Sequence, residues 1–194
     1  LDAAHRAREA GLTACRRTIR ASSQAIKAVH RQLPEQVAQF TADARAAIRE
    51  AQEALRPHPA VAFAGFLHDA EKEYAEAVLT ACLVGGEPLP DAAAVGVEPV
   101  AWLCGLCEAA SELRRHLLDR LREGESETAE HLLRSMEDVY DLLVTVDYPD
   151  ALTGGLRRIT DSLRAVLERS RADLTTTMIQ VRLQRALQER AGEP

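Results

Sequence analysis

Apolar residues recur at helical spacing along almost the whole chain, and they predict seven helices. Leu12, Ile19, Ile26, Val29 and Leu33 mark the first, over residues 3–33. Pro34 opens a second, over 34–55, whose buried face is Val37, Phe40, Ala44, Ile48 and Leu55. The Pro-His-Pro run at 57–59 breaks the chain. A third helix, 60–84, carries Phe63, Leu67, Ala70, Tyr74, Val78 and Ala81 inward and ends at Gly85-Gly86. Residues 85–97 form a loop, and Pro99 suits the first turn of a fourth helix with Val100, Leu103, Leu106, Leu113, Leu117 and Leu121 inside and Gly124 at its end. Ser126 is placed to cap a fifth, with Glu127 and Glu130 in its first turn and Leu132, Leu133, Met136, Val139, Tyr140 and Leu143 as its core face. After a turn at 147–150, Leu152, Leu156, Ile159, Leu163 and Leu167 keep one phase through Gly154-Gly155 and define a sixth; 173–189 is an amphipathic seventh. There is no internal repeat and no linker, so residues 1–194 read as one all-α bundle of long antiparallel helices.

Composition agrees with that pattern. The 194 residues are 46% hydrophobic, enough for a packed core, and only 4% are aromatic, which disfavours a sheet-rich fold. The net charge of −6 argues against a protein that binds nucleic acid by bulk charge alone. Basic residues are nevertheless patterned: Arg16, Arg20, Lys27 and Arg31 fall within roughly a 60° arc of the first helix at 100° per residue. A basic stripe of this kind follows a nucleic-acid backbone without reading its sequence, or is a solvated face with local ion pairs. Cys15, Cys82, Cys104 and Cys107 read as inert thiols in helical cores, because Cys104-x-x-Cys107 has no second half to complete a zinc site. Free thiols, with no export signal and no apolar run near the roughly 20 residues a membrane span needs, point to the cytoplasm.

The candidate chemistry lies in two acidic pairs. Glu73 and Glu76 are three residues apart on the third helix, Glu108 and Glu112 four apart on the fourth, so each helix offers two carboxylates on one face. If the helices are neighbours, four carboxylates converge with no lysine or arginine interleaved, and they repel one another unless protons or a divalent cation intervene. Oxygen-only ligation suits Mg²⁺ or Mn²⁺. From spacing alone a solvated glutamate face is the commoner outcome. A di-metal carboxylate bundle is disfavoured, since neither segment supplies a Glu-x-x-His pair. His68 lies near the acidic face but reads as a surface histidine, and Tyr74 and Trp102 read as core or interface aromatics rather than base-stacking platforms.

The two acidic segments, in this helical setting, resemble the translin family, and most closely the branch called translin-associated factor X. The Lys72-Glu73-Tyr74-Ala75-Glu76-Ala77 run matches that branch's glutamine-glutamate-aromatic-x-glutamate-alanine segment. Pro99-Val100-Ala101-Trp102-Leu103-Cys104-Gly105, then Glu108, then Glu112-Leu113-Arg114-Arg115, matches a second segment in order and spacing. Ala28 to Arg31 fits the family's first helix and Leu132 to Leu143 its fifth. The resemblance implies a seven-helix fold, a closed oligomer that is commonly an octamer, binding of single-stranded RNA or DNA inside the shell and, in the factor X branch, Mg²⁺-dependent endoribonuclease activity. It implies that Glu73, Glu76, Glu108 and Glu112 are the catalytic and metal-binding acids, with Arg16, Arg20, Lys27 and Arg31 on the nucleic acid. The alternative is a shell that binds single-stranded nucleic acid without cutting it; a helical scaffold with no RNA partner is a third class. Two positions depart from the family: Glu108 stands where aspartate is usual, and Lys72 stands where glutamine is usual, which is harmless if Lys72 faces solvent.

Overall fold

The computed structural model describes residues 1–191, and among them there are nine helices and no strand. Six are long: α1 (Asp2–His30), α2 (Pro34–Leu55), α4 (Phe66–Gly85), α6 (Pro99–Arg122), α7 (Ser126–Val144) and α9 (Leu156–Ala191). The single turns α3 (Pro59–Ala62), α5 (Ala92–Val95) and α8 (Asp150–Thr153) lie in their connections. The expected count of seven changes by one merger and three added single turns, α3, α8 and α5, the last inside the stretch 85–97 expected to be loop. The sixth and seventh predicted helices are one 36-residue helix, α9, since no glycine or proline interrupts residues 156–191. Conversely, the phase that was expected to run through Gly154-Gly155 stops there: both glycines take positive φ, 58° and 87°, and detach α8 from α9. The third predicted helix is likewise cut, at Gly65 with φ 95°, which leaves Phe63 88% exposed instead of buried.

Smaller boundary differences have local causes. α1 stops at His30 because Gln32 turns left-handed at φ 56°, so Leu33 belongs to the turn. Ser126 is the first residue of α7 rather than its cap; Glu125 occupies the cap position without a side-chain hydrogen bond. Pro34 and Pro99 sit in the first turns of α2 and α6 as expected, where no backbone N–H is needed. The loop after α4 is pinned twice. Asp91 caps α5 by accepting from the Ala94 N–H at 2.7 Å, and the half-buried Trp102 donates its indole N–H to the Pro90 carbonyl at 3.0 Å.

α1 and α2 form one antiparallel hairpin and α6 and α7 another, each through a three-residue turn. Other neighbours run in the same direction. On α4 and α6, Lys72 and Glu76 face Gly105 and Glu108, while Leu83 further along α4 packs against the cluster that holds Leu113 and Leu117 further along α6. The connection through α5 returns the chain to make this parallel pairing. Two hydrophobic clusters share Leu83 and Tyr140: one draws on α1, α2, α4, the first half of α6, the end of α7 and the start of α9, the other on the second half of α6, α7 and the middle of α9. On α1 the buried stripe is small, with Ala14, Thr18, Ala21, Ser22, Ala25 and Ala28 inside, while Leu12, Ile19 and Ile26 lie on its flanks. Small side chains let α1 lie close against α2 and α4. No helix among the described residues is long and apolar enough to cross a membrane.

Candidate metal centre

The register of α4 against α6 is set by Gly105. A Cβ there would lie 2.8 Å from both the Ala75 Cβ and the Lys72 carbonyl oxygen, and 2.9 Å from the Glu76 nitrogen. The backbones therefore approach more closely than any residue with a side chain allows. One turn further along α6, Glu108 meets Glu73 and Glu76 of α4, with one carboxylate oxygen from each inside a 4.8 Å group. Glu76 is 8% exposed, and its two companions lie half-buried at the rim. Burial, reinforced by the charges of Glu108, Glu73 and Glu112, pushes the Glu76 carboxyl up to about 8. Glu76 is therefore held protonated near neutral pH, chiefly by its burial.

These donors fit a hard dication. Metal–oxygen distances of about 2.0–2.6 Å allow two ligands of one ion to stand roughly 4–5 Å apart, close to the observed span. All three donors are carboxylate oxygens, the ligand class of Mg²⁺ and Mn²⁺.

Lys72 is part of the cluster, contrary to the expectation that no cation interleaves these acids. Its Nζ donates to Glu108 Oε1 at 2.9 Å and lies 2.8 Å from Glu108 Oε2 and 3.3 Å from Glu73 Oε1, with the side chain only 19% exposed. Burial alone would lower the lysine's proton affinity, but the Glu108 and Glu73 carboxylates outweigh it and hold the ammonium charged. The signal was present in the sequence, because Lys72 and Glu76 are four residues apart and share a helix face.

Glu112 stands apart from the other three. Its Oε2 accepts from His30 Nε2 at 2.7 Å, and His30 Nδ1 in turn meets His116 Nε2 at 3.0 Å, with the two rings stacked 4.9 Å apart. The hydrogen bond from His30, working against burial, holds the Glu112 carboxyl below the usual carboxylate range. Burial and the neighbouring His30 depress the His116 imidazole to about 4. His116 is therefore neutral at pH 7. Neither histidine is visible as a site residue from periodicity alone, although Glu112 and His116 are four apart on α6.

The chain matches no protein-family model. Among curated proteins it is 26% identical over 126 residues to the uncharacterized protein MJ0175 of Methanocaldococcus jannaschii, a match that covers 64% of this chain and 56% of that protein. It thus spans little more than half the length of the curated relative it matches. Among solved structures it superimposes on AfC3PO in complex with duplex RNA at TM-score 0.83 and 30% identity, covering 91% of both chains. A crystal structure of AfC3PO gives TM-score 0.80 at 30% identity, over 91% of this chain and 92% of the other. The chain belongs to the C3PO/translin family. A crystal structure of apo-NeC3PO shares the fold, at TM-score 0.81 and 17% identity over 90% of this chain and 91% of that one.

The remaining candidates find their places in the C3PO/translin frame. Arg16, Arg20 and Lys27 are exposed on the side of α1 turned away from its buried stripe, and Arg31, also exposed, follows at the helix's C-terminal cap. The arginine–glutamate pair joining α1 to α2 belongs instead to Arg17, which meets Glu50 at 2.9 Å. Lys27 stands one turn before His30, so the end of this basic arc approaches the Glu112 side of the site. His68 does not join the acids. Its ring packs against Gly154, beside the buried Glu71, whose carboxylate accepts from Gln52 Nε2 at 2.7 Å and the Glu98 N–H at 3.4 Å. Glu71 ties α2 to the start of α6 and is a structural acid that the spacing argument did not single out. Tyr74 is buried in the core. The four cysteines are free, and burial lifts the thiols of Cys15 and Cys104 to about 11 and that of Cys107 to about 12, out of the reactive range.

Proposed function

We propose that this chain is a metal-dependent endoribonuclease, similar to the factor X branch of its family, and that it acts as a closed homo-oligomer, an octamer in the family's common form, in the cytoplasm. The observation that carries this reading is the convergence of Glu73, Glu76 and Glu108 from two parallel helices within 4.8 Å. The complex of AfC3PO with duplex RNA, at 30% identity, supports RNA as the substrate. Bound Mg²⁺ or Mn²⁺ would supply an acidified water and would stabilise charge on the scissile phosphate. Glu73, Glu76 and Glu108 would hold the ion, with Glu112 aimed by His30 at the edge of the same site. Glu76 must give up its proton to serve as a ligand, so capture of the ion is favoured as pH rises. Arg16, Arg20, Lys27 and Arg31 would grip the RNA backbone without sequence preference. Residues 1–194 would act as one domain in which the basic arc and the acids share an enclosed surface.

The test uses end-labelled single-stranded RNA, duplex RNA and single-stranded DNA, each in Mg²⁺, in Mn²⁺ and in EDTA. Cleavage of RNA should require the metal, favour single strands and vanish in Glu76→Gln and Glu108→Gln while RNA binding persists. A second reading, a shell that binds RNA without cutting it, is favoured by one observation: the Lys72 ammonium already neutralises part of the cluster. Salt-sensitive RNA retention with no cleavage in any metal would select it. Loss of retention even at low salt would remove both readings and leave a scaffold.

A further inference from the structure

The acidic cluster contains its own cation. Three carboxylates converge, and the ammonium of Lys72 spans both oxygens of Glu108, at 2.8 and 2.9 Å, and reaches Glu73 at 3.3 Å. Lysine is suited to this position: a compact point charge on a flexible four-carbon stem, able to enter a pocket of oxygens and to leave it by bond rotation alone. A metal ligated by Glu108 would lie about 2 Å from an oxygen that Nζ now holds. The two cations would then stand within a few ångströms of each other, sharing ligand oxygens, in a half-buried site where repulsion is poorly screened. In the observed arrangement the ammonium already takes both oxygens of Glu108, so the two cations compete for them.

Resting on the metal reading above, we infer that Lys72 is the tethered counter-ion of the acidic cluster: a divalent ion enters only by displacing its ammonium, so this one side chain sets the metal concentration at which the site fills. The metal-free cluster is thereby kept from self-repulsion, and affinity is reduced by the cost of breaking two ion pairs. A neutral residue at this position would leave the acids open, giving a site that loads at lower metal concentration and is less stable when empty.

The experiment titrates Mn²⁺ into the full chain by calorimetry, with free Mn²⁺ followed in parallel by electron paramagnetic resonance. Wild type is compared with Lys72→Met, which keeps the stem and removes the charge, and with Lys72→Arg, which keeps a charge. Lys72→Met should bind Mn²⁺ about tenfold or more tightly than wild type, a change of the size that outer-shell substitutions make in metal affinity but of opposite sign, because the group removed competes with the ion. Its thermal midpoint should be lower than wild type in EDTA and should rise further on adding Mn²⁺. Lys72→Arg should bind no more tightly than wild type, and it keeps the comparison decisive if the methionine variant fails to fold, since an arginine variant that binds tighter contradicts the idea. Wild-type binding with no tightening in Lys72→Met overturns the role of Lys72 and leaves the metal reading in place. If neither protein takes up Mn²⁺ at millimolar concentration, both fall.

Discussion

Substituting Gly105 by alanine tests whether the α4–α6 contact builds the site. The added Cβ would meet the Ala75 Cβ and the Lys72 carbonyl oxygen at 2.8 Å and the Glu76 nitrogen at 2.9 Å. Comfortable contact needs roughly 3.5–4.0 Å, so the helices must part by roughly 1 Å. Two of the three neighbours are backbone atoms, and no rotamer change relieves them. Overpacking of this kind costs about 1–3 kcal/mol. Alanine returns up to about 1 kcal/mol of helix propensity at an interior helical position. The net should be a loss near 1 kcal/mol, or a fall of about 2–4 °C in melting temperature for a chain of this size. The effect on the site should be larger than the effect on stability. Glu73 and Glu76 would move with α4 and Glu108 with α6, opening a group that spans 4.8 Å beyond what one ion bridges. Thermal melts in EDTA and Mn²⁺ titrations of Gly105→Ala measure the two effects, with Gly85→Ala as control. At Gly85 a Cβ meets only the Glu87 Cγ, at an ordinary 3.6 Å. A Gly105→Ala protein as stable as wild type that binds Mn²⁺ equally well would refute the claim that this close approach positions the acids.

Four further outcomes are expected. In EDTA, Glu76 binds its proton more tightly folded, at about 8, than at its ordinary 4.5, so stability should fall as pH rises through that window, and Glu76→Gln should flatten the slope in urea unfolding measured from pH 5 to 8.5. His116 has the opposite sign: its folded value near 4 lies below the ordinary 6.5, so its contribution is lost as pH falls from 6.5 to 4, and His116→Phe should reduce that acid-side loss. His30→Ala removes the donor to Glu112 and leaves the buried His116 without its partner, which should cost about 1–3 kcal/mol in urea unfolding at pH 7. Ile179, Leu183 and Leu187 form an i, i+4, i+8 stripe on α9, each 58–59% exposed; if this stripe packs between subunits, Leu183→Glu should lower the particle mass found by light scattering while helix content by circular dichroism is unchanged.

The long helices were legible because their apolar period is regular, and the errors fall where one residue overrides that period. Gly65, Gln32 and the Gly154-Gly155 pair turn the chain by adopting positive φ, which a count of apolar positions does not register. α1 shows a different limit. Its large residues Leu12 and Ile19 attracted the core assignment, but alanines and hydroxyl residues fill the buried stripe because two helices must lie close to it. Spacing alone placed each acidic pair on one helix face. It did not place the two faces together; that came from the resemblance, because the neighbours of α4 are chosen by the α5 crossover and by one glycine that helix patterning treats as a weakness.

The most consequential misreading concerns Lys72, and its cause is geometric. Treating Glu73 and Glu76 as a stripe draws attention to residues three or four further along, while Lys72 sits one position before Glu73, 100° around the helix from it. The same wheel puts Lys72 only about 40° from Glu76. Cβ direction also understates the reach of a lysine, whose stem carries the charge well away from its own position on the wheel. A charge cluster therefore has to be counted by where side chains end. Counted that way, this site is three carboxylates and an ammonium, and its chemistry depends on whether a dication can displace the ammonium.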